Sequence, residues 1–218
     1  VEDIKKRIVR PVIPIDRIFI EDPVRMLRAV KYGATTGCKL PHKLKKKIRT
    51  SAPLLSPVSP SRLTEEFLKI TNGGHSFEIV NAALETDLYE YLQPAASNLI
   101  LENKKFAKSY LENLKKLDEF VKQNHDSRLG ERLYFLLKDF VEQLTDWKLE
   151  VQSEYSASEL YKRTWAICRN FVLPINPQRT ELDFAVRKLL QDAGIQVKTK
   201  RPKRPRRPHI QQEAEQKN

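Results

Sequence analysis

Asp22 and Arg25 are the residues whose types and spacing say most about chemistry. They sit in the run Glu21-Asp22-Pro23-Val24-Arg25-Met26-Leu27-Arg28-Ala29-Val30. A carboxylate and a guanidinium three positions apart on a helix form an acceptor and donor pair. The carboxylate can accept from an exocyclic amino group, and the arginine can donate to the ring nitrogen beside it. Such a pair can read a Watson–Crick edge without a nucleic-acid template. The same residues have a plainer reading, with Asp22 as an N-cap, Pro23 as the first helical residue, and Arg25 and Arg28 on one face. Taken alone, the residues leave both readings open.

A second group is cationic. Lys39, Lys43, Lys45, Lys46, Lys47 and Arg49 fall within eleven residues. They make either a solvated helix face or a face that contacts phosphates, with salt-dependent and sequence-blind affinity. The third group is the end of the chain, where Lys198–Pro208 (KTKRPKRPRRP) holds seven basic residues and three prolines. With nothing to bury, this tail is expected to be disordered, and Arg201, Lys203, Arg204, Arg206 and Arg207 make it either an appendage with no role or an electrostatic tether for a polyanion. His42, His75, His125 and His209 lack metal-ligand spacing, and Cys38 and Cys168 are 130 positions apart, so neither set makes a metal site or a disulfide framework.

Helices must position these groups. Residues 1–20 read as an irregular, partly extended lead-in, with Pro11 and Pro14 breaking any helix and β-branched residues dominating. From residue 22 to 196 the pattern is all-α. Met26, Leu27 and Val30 form a stripe closed by Gly33 and Gly37, and Pro41 to about Arg49 is a short helix with Leu44 and Ile48 inward. Ser59-Pro60 starts a helix carrying Leu63, Phe67 and Ile70, which stops at Gly73-Gly74, and Ser76 caps the next. Leu88–Leu92 is a further stretch ending at Pro94. Phe106, Tyr110, Leu114, Leu117 and Val121 make a long seam, and Leu133, Leu136, Phe140, Leu144 and Trp147 another. Ser156-x-x-Glu159 is a capping box, and Asn176-Pro177 caps a last helix with Leu182, Val186, Leu189 and Leu190 inward, ending at Gly194.

Composition narrows the function. The 218 residues hold 40 Lys and Arg against 28 Asp and Glu, a net charge of +12 that points to an anionic partner. At 40% hydrophobic the chain can bury a core. The sequence has no phosphate-cradling glycine motif, no apolar run near the roughly 20 residues that cross a bilayer, and no signal peptide, so a cytoplasmic protein with no membrane partner is expected. It opens at Val1 in an ordinary charged segment, which hints at a piece of something longer.

Glu-Asp-x-x-Arg-x-x-Arg-Ala at the start of a helix, about forty residues ahead of Val58-Ser59-x-x-Arg62-Leu63-x-x-Glu66, resembles the neck of the class II nucleotidyltransferases. This group contains the CCA-adding enzymes and the bacterial poly(A) polymerases. The fuller run through Val30 and the Arg/Pro-rich tail resemble the poly(A) polymerase branch most. Val1-Glu2-Asp3-Ile4 is similar to the passage from catalytic head to neck, and Phe171-x-Leu173-Pro174-x-x-x-x-Arg179 is loosely similar to the family's body. The resemblance implies that Asp22 and Arg25 bind the base, that Glu21 orients the arginine, and that Arg28, Arg62 and Glu66 support the neck. Ile20 and Lys31-Tyr32 depart from the family's commoner basic residue and Arg-Phe.

The implied layout is 1–16 for the end of the head and linker, 17–95 for the neck, 96–197 for a helical body and 198–218 for the tail. The implied activity is addition of AMP from ATP to an RNA 3′ end, of mRNA or tRNA, with Lys43, Lys46 and Lys47 gripping the RNA. That chemistry uses Mg2+ on paired aspartates of the head. No Asp-x-Asp occurs in this sequence, so the chain alone is expected to be inactive, with no catalytic or metal residue of its own and the head as a partner. The alternatives are the same part of a CCA-adding enzyme, or a stand-alone non-catalytic RNA-binding protein. Deleting residues 198–218 is expected to weaken RNA affinity and flatten its dependence on salt without unfolding the rest. An unchanged salt slope in a binding titration excludes the tether.

Overall fold

A computed structural model describes residues 2–144 and 155–197. The expectations for Trp147 and for the tail from Lys198 onward, including Arg201, Lys203, Arg204, Arg206 and Arg207, lie outside the described residues, as does the side chain of Leu144. The fold is all-α, with no β-strand among the described residues, and an isolated parallel bridge joins Ile8 to Lys39.

The first half comprises α1 (Glu2–Lys5), α2 (Ile15–Glu21), α3 (Val24–Thr36), α4 (His42–Ser51), a 3-10 turn (Ala52–Leu55), α5 (Pro60–Thr71), α6 (Ser76–Glu85), α7 (Tyr89–Leu92) and α8 (Pro94–Glu102). The second half comprises α9 (Lys104–Gln123), α10 (Leu129–Leu144), α11 (Ala157–Phe171) and α12 (Arg179–Asp192). They pack in series: α3 on α5 and α6, α6 on α9, α9 on α10, and α12 against both α10 and α11. One apolar core runs through them from Phe19 and Met26 to Leu189 and Leu190. Both long seams are buried as their spacing predicts, through Val121 on α9 and Phe140 on α10.

Local capping signals hold where the partner is close in sequence. The Ser156 hydroxyl accepts from the Glu159 N–H at 3.3 Å while Glu159 accepts from the Ser156 N–H at 2.9 Å, which is the expected capping box. They fail where a distant residue competes. Ser76 is the first residue of α6, after an N-cap at His75, and the Asp118 carboxylate from α9 accepts from the N–H groups of Ser76 and Phe77 at 2.6 and 2.9 Å. A charged acceptor at a helix N-terminus is a stronger partner than a hydroxyl.

Other expectations need correction. The lead-in contains α1 and α2; in α2, Ile15, Ile18 and Phe19 pack on the core at i, i+3 and i+4, and that burial outweighs the β preference of the isoleucines. Gly33 does not end α3. The helix closes at Gly37, with φ 65°, whose N–H donates to the Ala34 carbonyl. The last helix is preceded by Gln178, not Asn176. Helix α8 begins at Pro94, the first helical position, where its missing N–H costs nothing.

Buried polar groups lock the stack. The Tyr89 and Tyr110 hydroxyls meet at 2.6 Å, and Asp139 on α10 accepts from Ser109 and Asn113 on α9. At the α10–α12 crossing, a Cβ on Gly130 would lie 2.7 Å from the Glu181 carbonyl oxygen and 2.8 Å from the Phe184 ring. Gly130→Ala is therefore expected to destabilise the fold by about 1–3 kcal/mol. Urea unfolding measures it, and an unchanged midpoint would mean the helices separate freely.

Candidate nucleic-acid interface

The expected base-reading pair lies at the junction of α2 and α3. Asp22 ends α2 with extended backbone (φ −147°, ψ 93°), and its N–H donates to the Ile18 carbonyl. Pro23 then takes the N-cap position and α3 begins at Val24. The side chain of Asp22 therefore does not cap α3, and Pro23 is not its first helical residue. The carboxylate turns toward α5, where Arg62 Nη2 donates to Oδ1 at 2.9 Å. Arg25 Nε lies 3.7 Å and Arg28 Nη1 4.0 Å from Oδ2. A charge-assisted bond to a guanidinium wins over a backbone N–H because both partners are ionised.

The other end of the same α3–α5 contact is built on Glu66. Its side chain is 3% exposed and accepts from Arg28 Nε at 3.2 Å and Lys69 Nζ at 3.1 Å, with Lys31 Nζ at 3.8 Å. A carboxylate so buried stays charged only with such partners. Arg62 and Glu66 do not bond each other. Each reaches across to α3 or its leading residue, so the two helices are cross-tied twice. Lys69 also donates to Glu65 at 2.7 Å, which holds that carboxyl below its usual range.

Glu21 is the exposed last residue of α2 and its side chain forms no ion pair or hydrogen bond among the described residues, so the carboxylate beside Arg25 is that of Asp22. Arg25 is partly exposed, yet its Nη1 is buried and has no hydrogen-bond partner. Asp22 is 20% exposed. Five cations (Arg25, Arg28, Lys31, Arg62, Lys69) thus surround three carboxylates (Asp22, Glu65, Glu66), leaving a positive surplus at a half-open junction.

The lysine-rich segment forms α4, with Leu44 and Ile48 in the core. Sequence spacing could not separate its cations by role. Lys45 binds Glu85 at 3.0 Å, and Arg49 pairs with Asp87 at 3.3 Å and donates to the Glu85 carbonyl, so both fasten α4 to the end of α6. Lys43 and Lys46 are exposed and form no ion pair among the described residues, whereas Lys47 is half-buried. Among the described residues, no group of three or more His, Cys, Asp or Glu could hold a metal ion. No helix among them is long and apolar enough to cross a membrane.

Comparison with known proteins sets the class. Residues 37–100, which carry α4, Arg62 and Glu66, match the model of a family described as "Probable RNA and SrmB- binding site of polymerase A". This part of the chain is similar to that RNA-binding site. Relatives make it more particular. The chain is 33% identical over 102 residues to poly(A) polymerase I of Escherichia coli O6:H1, covering 47% of this chain and 22% of that protein. It is 40% identical over 91 residues to the CCA-adding enzyme of Geobacillus thermodenitrificans, covering 42% and 22%. Poly(A) polymerase I of Haemophilus influenzae is 36% identical over 89 residues, covering 41% and 20%. The chain therefore spans about a fifth of the length of these nucleotidyltransferases.

Glu66→Ala removes the buried counter-ion of Arg28 and Lys31. It is expected to cost about 1–3 kcal/mol in urea unfolding, while the exposed neighbour change Glu65→Ala leaves the midpoint in place. Equal effects from the two would contradict the assigned role of Glu66.

Proposed function

We propose that this chain is the neck, body and tail of a poly(A) polymerase that adds AMP from ATP to RNA 3′ ends. The observation that carries the reading is the pairing of Asp22 with Arg25 at a half-open junction, where both side chains keep part of their surface exposed. Asp22 accepts from the adenine 6-amino group through lone pairs that Arg62 leaves free, and Arg25 donates to the ring nitrogen beside it. Glu21, at the end of α2, is the neighbour that orients Arg25 in this reading. Lys43 and Lys46, with Lys47 beside them and the tail residues Arg201, Lys203, Arg204, Arg206 and Arg207, hold the RNA by its phosphates.

In this reading residues 17–95 are the neck and 96–197 the body, and the protein works in the cytoplasm. Mg2+ and the aspartates that hold it come from a head outside this sequence, and the chain alone is inactive. The similarity to a CCA-adding enzyme at 40% identity favours a second reading, in which the same pair accepts C as well as A. The basic tail supports poly(A) addition, since an enzyme that recognises the shape of tRNA has less use for a sequence-blind anchor.

In the complete polymerase, Asp22→Ala and Arg25→Ala are expected to abolish the preference for ATP over CTP and GTP, measured by incorporation, while circular dichroism stays unchanged. If Asp22→Ala lowers thermal stability and leaves nucleotide preference intact, the carboxylate is only a tie to Arg62.

A further inference from the structure

Helix α5 has a second working side. Arg62 and Glu66 face α3, whereas Pro60 and Leu63 line a cleft of about 630 Å³. The lining joins the turn after α4 (Leu55, Ser56, Val58) to α7 and α8 (Glu90, Tyr91, Pro94) and to the segment after α11 (Leu173, Pro174, Asn176). It runs from fully buried Leu55 to Leu173, which is 43% exposed. The two halves of the lining are tied together. The Asn176 N–H donates to the Thr64 hydroxyl at 3.0 Å, and Gln93 Nε2 donates to the Val172 carbonyl at 3.0 Å. Arg169, also in the lining, donates to the Ile175 carbonyl at 3.2 Å and to Asn176 Oδ1 at 2.8 Å. The cleft therefore exists before any ligand arrives.

We propose that this cleft takes one unstacked base of an RNA strand, at a position separate from the Asp22–Arg25 pair. The inference rests on the reading of residues 37–100 as RNA-binding, since they supply most of the lining. Three features select a base. The Tyr91 ring and the pyrrolidines of Pro60, Pro94 and Pro174 offer the flat apolar contact that the face of any base accepts. Ser56, Glu90, Arg169 and Asn176 bring donors and acceptors of both kinds, which suit a base edge and which an apolar peptide would leave unused. The cleft also adjoins the RNA-facing helix in the chain, because Leu55 and Ser56 close the 3-10 turn that continues α4 beyond Lys43 and Lys46.

The test is a fluorescence-anisotropy titration of the 218-residue chain with a labelled oligoadenylate and with an abasic sugar-phosphate strand of equal length. Tyr91→Ala is expected to bind oligoadenylate about tenfold more weakly. Its salt slope should not move, because no charge is lost. Wild type and variant should bind the abasic strand equally. Leu173→Ala, at the exposed end of the cleft, is expected to show a smaller loss of the same kind and serves if Tyr91→Ala does not fold. If both folded variants bind oligoadenylate as wild type does, or lose the abasic strand equally, the base site is overturned. Such unchanged affinity would leave the cleft to an apolar protein segment. Failure of the wild-type chain to bind any RNA overturns instead the RNA-binding reading beneath it. A flattened salt slope in Lys43→Ala/Lys46→Ala shows that the reading stands even where the cleft proposal falls.

Discussion

The Asp22–Arg62 bond and the Arg28–Glu66 bond cross between α3 and α5, and the geometry of the junction depends on that crossing. Each carboxylate is partly or wholly withdrawn from water and so requires a cation from the opposite helix. Because the ties run in opposite senses, one donor on α5 and one on α3, sliding either helix along the other breaks at least one of them. The backbone at Asp22 is extended because a residue before proline is pushed out of the helical region, and this sets the direction from which its carboxylate meets Arg62. The half-open position of Asp22 beside Arg25 is thus a consequence of how the two helices are held.

Helix α5 divides the molecule's work between its faces. One face makes the ion-pair lattice, where charge and hydrogen-bond direction can discriminate one small polar group from another. The other face contributes apolar surface to a cleft whose segments are pinned by Thr64, Gln93 and Arg169. Between them α4 divides its own cations, using Lys45 and Arg49 to hold the fold and leaving Lys43 and Lys46 facing solvent. In the proposed reading, this arrangement would separate selection, which needs fixed geometry and low water content, from retention of a strand, which needs only exposed positive charge.

Much of the fold was legible from periodicity alone. The Phe106–Val121 and Leu133–Phe140 seams are buried because a long amphipathic helix has few other ways to hide its stripe. The Ser156–Glu159 box was legible because both partners lie within one turn. The residues of the candidate site could be named, but not their partners. An Asp-Pro step before an apolar run obeys the local rule for an N-cap, and that rule yields here to an arginine 40 positions away. Asp118 displaces the expected role of Ser76 across 42 positions in the same way. Helix α2 was hidden by its isoleucines, whose propensity is a weaker term than the burial of Ile18 and Phe19. The cleft had no sequence signature because its lining comes from three separated segments.

The central claim is that Asp22 and Arg25 together present the complement of an adenine edge. A crystal structure of the head-containing polymerase with ATP bound measures this directly. The expected result is the adenine amino group within hydrogen-bonding distance of the Asp22 carboxylate, with the Arg25 guanidinium on the adjacent ring nitrogen and the Arg62 bond preserved. An adenine bound elsewhere, with Asp22 engaged by arginines alone, would contradict it.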